Sequence, residues 1–410
     1  MPNYQGVWKL SEQYQAIGSQ NWPMAPGAPT GVSATAGDEE ADVSFTAPTF
    51  TGVPPGITEY LVTSDPGAIT ATGSSSPITV TGLTNDTSYT FTVQATNGVQ
   101  YGPAGGPSGS VTPSVPEQAF TAGGYYSGAL QQIDVITITT TGNATDFGDL
   151  STAQYVGGCS SSSTRAIIGG GDSNSSTILY FTMSSGGATG TFGSLNRSVG
   201  GGVAGASNDT RGLMLGGFYF SGSNVWANNI QYVTIASTGN ATDFGDLTLG
   251  RNQTTATASP TRAICAGGSE GVANKTNRMD YVTIASTGNA TDFGDLLAAT
   301  RRQAGASSST RAVFAGGQAG ASNVIQYVTI ASTGNATDFG DLTVALEEQG
   351  GTSGSTRSVF CGGKNGGGSG TNIINYITTA TTGNATDFGD LVQVREQATQ
   401  TTSNSHGGLA

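Results

Sequence analysis

One ten-residue string organises the last three quarters of this chain. "TGNATDFGDL" occurs at 141–150, 238–247, 287–296, 333–342 and 382–391, and a degraded copy, "GGATGTFGSL", stands at 186–195. Its phenylalanine (Phe147, Phe192, Phe244, Phe293, Phe339, Phe388) returns every 45 to 52 residues. A unit of that size cannot bury its own apolar face and must stack on its neighbours, so six copies imply an array with shared cores.

Each copy reads as four short strands: a small-residue strand such as "QAGASS", a turn "STR", a strand such as "AVFAGG", a loop, a strand such as "IQYVTIAS", a turn at "TGN", and the strand "ATDFGDL". Four strands at this period predict a propeller blade. In the third strand Ile230, Tyr232, Val233 and Ile235 cannot all face one way, which suits a strand covered on both faces. The second strand ends at Gly123-Gly124, Gly169-Gly170, Gly216-Gly217, Gly267-Gly268, Gly316-Gly317 and Gly362-Gly363, where positive φ and close backbone approach are expected. Gly239 and Asn240 of the "TGN" turn are expected to adopt left-handed geometry, and the repeated Phe to plug the space between blades. The region opens on "AFTAGG", a second strand without its first, and ends on "EQATQTTSNS", a first strand without its second. Pairing the two removes both exposed sheet edges, so closure between the ends is expected.

A double glycine, then Tyr, then an aromatic, then often Arg resembles the kelch repeat. Phe244 and its equivalents stand where that family usually has Trp, and its Arg is matched by Arg251, Arg301 and Arg395 but replaced elsewhere, as by Leu346. The resemblance implies a six-bladed kelch-like β-propeller over residues 116–410.

Residues 27–115 alternate in short strands, with "PGAPTGVSAT" at the start, "ITVTGLTNDTSYTFTVQATN" in the middle and Pro113 at the exit. This resembles a fibronectin type III domain. The resemblance implies that Leu83 plugs a sandwich and that Tyr89 forms the tyrosine corner, while Phe45 stands in for the usual core Trp. Such modules are mostly spacers. Residues 1–26 form a separate segment with Trp8, Leu10, Tyr14 and Trp22 around a helix-compatible "KLSEQYQAIG". Too short to bury its own aromatics, it is read as packing on the next domain or anchoring to a partner.

Charged residues are only 10% of the chain while Gly, Ser and Thr abound, which together with the strand pattern gives an all-β class. A formal charge of −13 with 14 scattered Lys and Arg argues against a nucleic-acid partner. No run of 18 apolar residues suggests membrane insertion, and "MPNYQGVWKLSEQYQAIG" lacks the basic and apolar regions of a secretory signal, so synthesis in a cytoplasm is expected and "Asn-Ala-Thr" is not read as a glycosylation site. Cys159, Cys265 and Cys361, an odd and dispersed set, are read as reduced core fillers.

Several motifs look chemical. "DFG" has no phosphate loop or "HRD" beside it, so it is read as structural. The repeated Asp pairs, such as Asp243 with Asp246, could ligate Ca²⁺ or accept N–H bonds at turns. Arg165, Arg211, Arg262, Arg311 and Arg357 recur at equivalent turns and are read as a solvated ring on one rim, with an anionic sugar or a neighbouring subunit as alternative contacts. A single histidine, His406, rules out a copper oxidase of the galactose oxidase kind, and symmetric carboxylates do not converge as hydrolysis needs, so no enzyme and no cofactor are expected.

The segment "YQGVWKLSEQYQAIGSQNWP" followed by a fibronectin-like module resembles virion structural proteins of marine tailed phages. That implies a virion appendage made in the host cytoplasm, docked through residues 1–26 on other virion proteins and assembled as a homo-oligomer. The expected role is a tail fibre or adhesin that binds a host-surface glycan through the long loops 217–229 and 268–278, with Phe218, Tyr219, Phe220, Trp226, Asn274, Lys275 and Arg278 as candidate contacts. The alternative is a capsid decoration or scaffold with no ligand.

Overall fold

A computed structural model describes residues 9–18, 23–53, 56–171, 175–184, 189–199, 201–271, 274–318, 320–397 and 400–409. The protein is all-β: among the described residues one helix, Leu10–Gly18, precedes a long series of antiparallel strands. It divides into two compact units, Met1–Pro116 and Glu117–Ala410. Trp8 and Trp22 lie outside the described residues, while Leu10 and Tyr14 on the helix are both about two-thirds exposed.

The first unit is a sandwich of two three-stranded sheets, one of Thr30–Ala36, Glu40–Thr46 and Ile78–Thr81, the other of Thr70–Gly73, Glu59–Asp65 and Thr90–Thr96. Strict alternation in Glu40–Thr46 sends Ala41, Val43 and Phe45 inward, where Phe45 meets Tyr60 at 4.6 Å between ring centroids. Leu83 is buried in the same core, and the Tyr89 hydroxyl accepts the Thr84 N–H at 3.1 Å, which pins the corner between strands. Met24 bridges to Val53, so the chain just before the sandwich is tied to it.

Among its described residues the second unit contains six antiparallel repeat sheets, one per repeat, five of four strands and one of five. Sheet 1 is Thr401–Ser403, Gln118–Ala122, Gln132–Thr137 and Thr145–Asp149, with Thr402 paired to Phe120. Sheet 2 is Gly158–Ser161, Arg165–Gly169, Ser175–Thr182 and Gly190–Val199; sheet 3 is Ala204–Ser207, Arg211–Leu215, Asn229–Thr234 and Thr242–Asp246. Sheet 4 is Thr255–Ala258, Arg262–Ala266, Thr276–Thr283 and Thr291–Thr300; sheet 5 is Ala304–Ser307, Arg311–Ala315, Ser322–Thr329 and Thr337–Glu347; sheet 6 is Gly350–Ser353, Arg357–Cys361, Thr371–Thr378 and Thr386–Arg395. Lys364–Asn365 adds a fifth strand to sheet 5, and Phe218–Phe220 with Asn224–Trp226 forms a separate two-stranded ribbon.

Cores lie between consecutive sheets. Leu213, Ile230 and Phe244 of sheet 3 pack on Ala263, Cys265, Val282 and Ile284 of sheet 4, and a corresponding cluster joins Ile136 and Ile138 of sheet 1 to Val359, Ile374 and Phe388 of sheet 6. The repeated phenylalanines are buried except Phe147, which is partly so. Five of them meet the third-strand Tyr edge-on at 5.8 to 6.0 Å, as Tyr232 does Phe244. In the first repeat Val135 holds the Tyr position, and Phe147 packs on Phe120 and Phe181 instead.

The turn arginines are half-buried and engaged across sheets, where freely solvated side chains were expected. Arg165, Arg211, Arg262, Arg311 and Arg357 each lie over the Tyr of their own sheet at 4.3 to 4.9 Å. Each also donates from Nη1 to a carbonyl of the next sheet: Ile235, Ile284, Ile330, Thr379 and Ile138, at 2.7 to 3.1 Å. They staple sheet to sheet, and the first repeat, with Gln118 at this position, lacks the staple.

The "TGN" turn also has a different job. Neither Gly239 nor Asn240 takes positive φ. The turn lies against the fourth strand of the preceding sheet: Gly239 N–H donates to Phe192 O, and Asn240 Oδ1 accepts the Ser194 N–H at 3.0 Å. Asn289, Asn335, Asn384 and Asn143 repeat that bond to Asp246, Asp295, Asp341 and Asp390. The outer edge of each such sheet is thereby covered. The paired glycines at the end of the second strand have positive φ as expected, except that in the second repeat the pair is Gly170-Gly171 and Gly169 belongs to the strand.

Candidate ligand-binding face

Strand directions separate two faces of the repeat unit. The "STR" and "TGN" turns occupy one, and the arginine staples hold them. The loops between second and third strands, and the connections from each fourth strand to the next first strand, occupy the other. The connections on this loop face are longer and differ from repeat to repeat, as at Phe218–Trp226 and at 267–275.

Where the first strands begin, a cavity of roughly 90 Å³ is bordered by Val156, Gly202, Gln253, Arg302, Glu348 and Gln397. That is room for several ordered waters. Five of these residues have φ between 53° and 67°, so the connection makes the same left-handed bend each time, although only Gly202 is a glycine. Arg302 Nη1 contacts Glu348 Oε1 at 2.6 Å, and Lys364 Nζ lies 3.3 Å from Glu348 Oε2 and 3.4 Å from Glu396 Oε2. Burial alone would lower the Lys364 pKa, but the two carboxylates outweigh it and hold the ammonium above its ordinary value.

At the far ends of the first strands the small residues are explained by contact. A Cβ on Gly205 would sit 2.1 Å from Cys159 O. Ser207 Oγ donates to Ser161 O, Ser307 Oγ to Ala258 O, Ser403 Oγ to Ser353 O and Ser161 Oγ to Ser403 O, at 2.5 to 2.8 Å. Ser353 Oγ likewise bonds Ser307 O. Ala258 is the one equivalent position without a hydroxyl. His406, Gly407 and Gly408 lie over this end, with Gly407 N–H donating to Ser307 O at 3.0 Å.

A second cavity on the loop face, about 180 Å³, is lined by Phe218, Asn224, Trp226, Asn252, Gln253, Gly271 and Arg301. The ribbon Phe218–Trp226 of repeat three forms one wall, and the connection after sheet 3 forms the other. Phe218 and Trp226 are half-buried, and the carboxamide oxygens of Asn252 and Gln253 are buried without a hydrogen-bond partner. Arg301 Nε donates to Gln318 Oε1 at 2.6 Å, which fixes the plane of its guanidinium. Burial lowers the Arg301 pKa, helped by the charge of Arg302.

Of the candidate contact residues, the structure brings Phe218 and Trp226 together in this cavity. Tyr219 lies instead under the Arg197 guanidinium at 4.8 Å, and Phe220 is 60% exposed at the ribbon tip. Asn274 and Lys275 of the neighbouring loop and Arg278 of the strand that follows it do not line the cavity. Sequence reasoning missed Asn252, Gln253 and Arg301. The kelch-like pattern matches Arg301 to Arg251, yet the residue equivalent to Arg251 is Thr300: Arg251 O accepts from Gly217 N–H as Thr300 O does from Gly268 N–H. Arg251 and Arg395 are consumed in buried pairs with Asp280 and Asp134.

Among the described residues, no three His, Cys, Asp or Glu side chains converge where they could hold a metal ion, so the Asp pairs do not assemble such a group. The cysteines are free and buried, and burial pushes the Cys159 and Cys361 thiols up to about 12. No helix among the described residues is long and apolar enough to cross a membrane. No curated protein matches the chain. Residues 27–110 match the family described as Fibronectin type III domain, so the first unit contains a domain of that family.

Proposed function

We propose that the chain is a non-enzymatic virion protein of a tailed phage, of the tail fibre or adhesin type, that binds a host-surface glycan. In this reading the repeat region is a closed six-bladed kelch-like propeller, the fibronectin type III domain is a spacer and the N-terminal segment is the virion anchor. Closure is supported by the Thr402 to Phe120 pairing, by the core shared between sheets 6 and 1, and by the Arg357 and Arg395 contacts to sheet 1. The virion assignment is supported by the sequence resemblance of residues 1–115.

The observation that carries the binding role is the contrast between the faces. One is locked by repeated staples, while the other holds an aromatic and amide cavity beside the ribbon found in repeat three. Aromatic walls with unpartnered amides are what sugar rings and hydroxyls engage. Immunogold electron microscopy of particles, paired with glycan-array binding by the whole chain, tests the proposal. Label on fibres and binding to host polysaccharide are expected. Label over the head with a silent array would favour a decoration protein instead.

A further inference from the structure

Independently of any glycan binding, we propose that Asn365-Gly366 is a self-modification site, at which the neutral Asn365 carboxamide is exchanged for a carboxylate on the loop face. Asparagine is followed by glycine at only two places in the chain, Asn97-Gly98 and Asn365-Gly366. At such a step the deprotonated glycine nitrogen attacks the asparagine Cγ. An N–Cγ bond forms, the Cγ–Nδ2 bond breaks and ammonia leaves, which closes a cyclic imide. Water then opens the imide at either carbonyl, giving aspartate at one and isoaspartate at the other, whose chain continues through the former side chain. Water is the sole co-reactant, and nothing is oxidised or reduced.

The two sites differ in what holds the reacting nitrogens. In the first unit Asn97 is 5% exposed, its Nδ2 donates to Met24 O at 2.9 Å and the Gly98 N–H donates to Thr96 Oγ1 at 3.1 Å. Leaving group and nucleophile are both engaged. In the repeat unit Lys364–Asn365 is the short strand added to sheet 5, and Gly366, Gly367 and Gly368 beyond it are exposed. Among the described residues no hydrogen bond holds the Gly366 N–H or Asn365 Nδ2. Asn365 Oδ1 is held, accepting the Gly367 N–H at 2.9 Å and the Ser369 N–H at 3.1 Å. Two backbone donors thus face the oxygen on which negative charge gathers during the attack. Asn97 Oδ1 is met in the same way by the Val99 and Gln100 N–H groups, at 3.2 and 3.4 Å, so the contrast lies in the nitrogens. Attack also requires rotation about the Asn365 backbone, and the three glycines let the turn follow. Either product sets a carboxylate one residue from Lys364, whose ammonium already contacts Glu348 and Glu396. Isoaspartate also adds a backbone carbon, which disturbs the pairing of Asn365 with Leu346.

The test is incubation of the whole native chain in mildly alkaline buffer made with heavy-oxygen water, followed by digestion and peptide mapping by mass spectrometry. The Asn365 peptide should lose its amide, take up the oxygen label and split into aspartate and isoaspartate forms. It should convert roughly tenfold faster than the Asn97 peptide, the factor that one or two ground-state hydrogen bonds impose. In denaturant the two sites should convert at similar rates. A Cβ on Gly366 would meet only Ala321 Cβ, at 3.8 Å, so Gly366→Ala is compatible with the fold, which circular dichroism and melting check. Its methyl crowds the attacking nitrogen and should slow Asn365 severalfold while leaving Asn97 unchanged. Native Asn97 converting as fast as Asn365 overturns the proposal. So does an Asn365 that stays intact while the denatured chain converts, or a folded Gly366→Ala variant that converts at the wild-type rate.

Discussion

Arg395 Nη2 lies 2.7 Å from Asp134 Oδ1, and neither side chain exposes more than 1% of its surface. The two come from opposite ends of the repeat region, and Arg395 also donates to Gln132 O at 3.1 Å and to Gly123 O. Burial raises the Asp134 pKa against the opposing pull of Arg395, and burial lowers that of Arg395 against the pull of Asp134. Desolvation therefore outweighs attraction for both partners, which is the regime in which a buried pair specifies geometry more than it stabilises.

Removing one partner should be far worse than removing both. Arg395→Met is expected to cost about 3–5 kcal/mol by stranding the Asp134 carboxylate. Adding Asp134→Leu should bring the repeat unit back to within about 1 kcal/mol of wild type, or above it. Urea unfolding followed by tryptophan-independent circular dichroism reads both. A double variant as unstable as the single one would mean that the pair is net stabilising.

A second prediction concerns the "DFG" glycine. A Cβ on Gly245 would meet Gly288 O at 2.3 Å, because the next turn lies directly on this strand, and its φ of 146° is itself unfavourable for a side chain. Backbone cannot yield as a side chain can, so Gly245→Ala should destabilise by about 1–3 kcal/mol. Gly239, in the turn, has nothing within 4 Å of the same position, and Gly239→Ala should stay within about 0.5 kcal/mol of wild type. Melting temperatures of the two variants should separate clearly.

The thiols give a third prediction. Burial holds Cys159 and Cys361 near 12 and raises Cys265, so thiolate is scarce at neutral pH and the sulfurs are covered. Labelling with an aromatic disulfide reagent at pH 8 should be slow in the native protein and complete in denaturant. Rapid labelling of any one cysteine without denaturant would locate a sheet that opens.

These contacts show how far the sequence could be read. The number of repeats, their four strands and the burial of Phe244 and its equivalents follow from period and residue type, since patterning fixes elements. The partners across sheets do not. Asn240 and Arg165 both look like ordinary turn residues, because an Asn or Arg in a turn carries no sign of which neighbouring backbone it will reach. Only the packed sheets reveal that Asn240 answers Ser194 and Arg165 answers Ile235. The cavity beside Trp226 was half legible. The aromatic ribbon is a visible insertion, whereas Asn252 and Gln253 look like ordinary connection residues and Arg301 matches Arg251 in sequence although Thr300 is its structural equivalent.

His406 supports a pH prediction with a definite sign. Its Nδ1 accepts the Gly408 N–H at 3.1 Å, and Nε2 is 3.2 Å from Ser161 O, which can only accept, so Nε2 carries the proton and the ring is neutral. Protonating Nδ1 would set two donors against each other. Burial accordingly lowers the pKa to about 4, overcoming the Ser161 carbonyl and the more distant Asp209, which both raise it. Once the tail is released the ring returns to an ordinary value near 6.5, so the released form takes up the proton first. The contribution of this contact is thus complete above about pH 6.5 and is lost as pH falls towards 4. Hydrogen exchange over residues 404–409, corrected for intrinsic rates, should show protection falling between pH 6.5 and pH 4.5 while that of the second strands holds. His406→Gln should flatten the dependence, and a wild-type tail equally protected at both ends of that window would refute the neutral, doubly bonded ring.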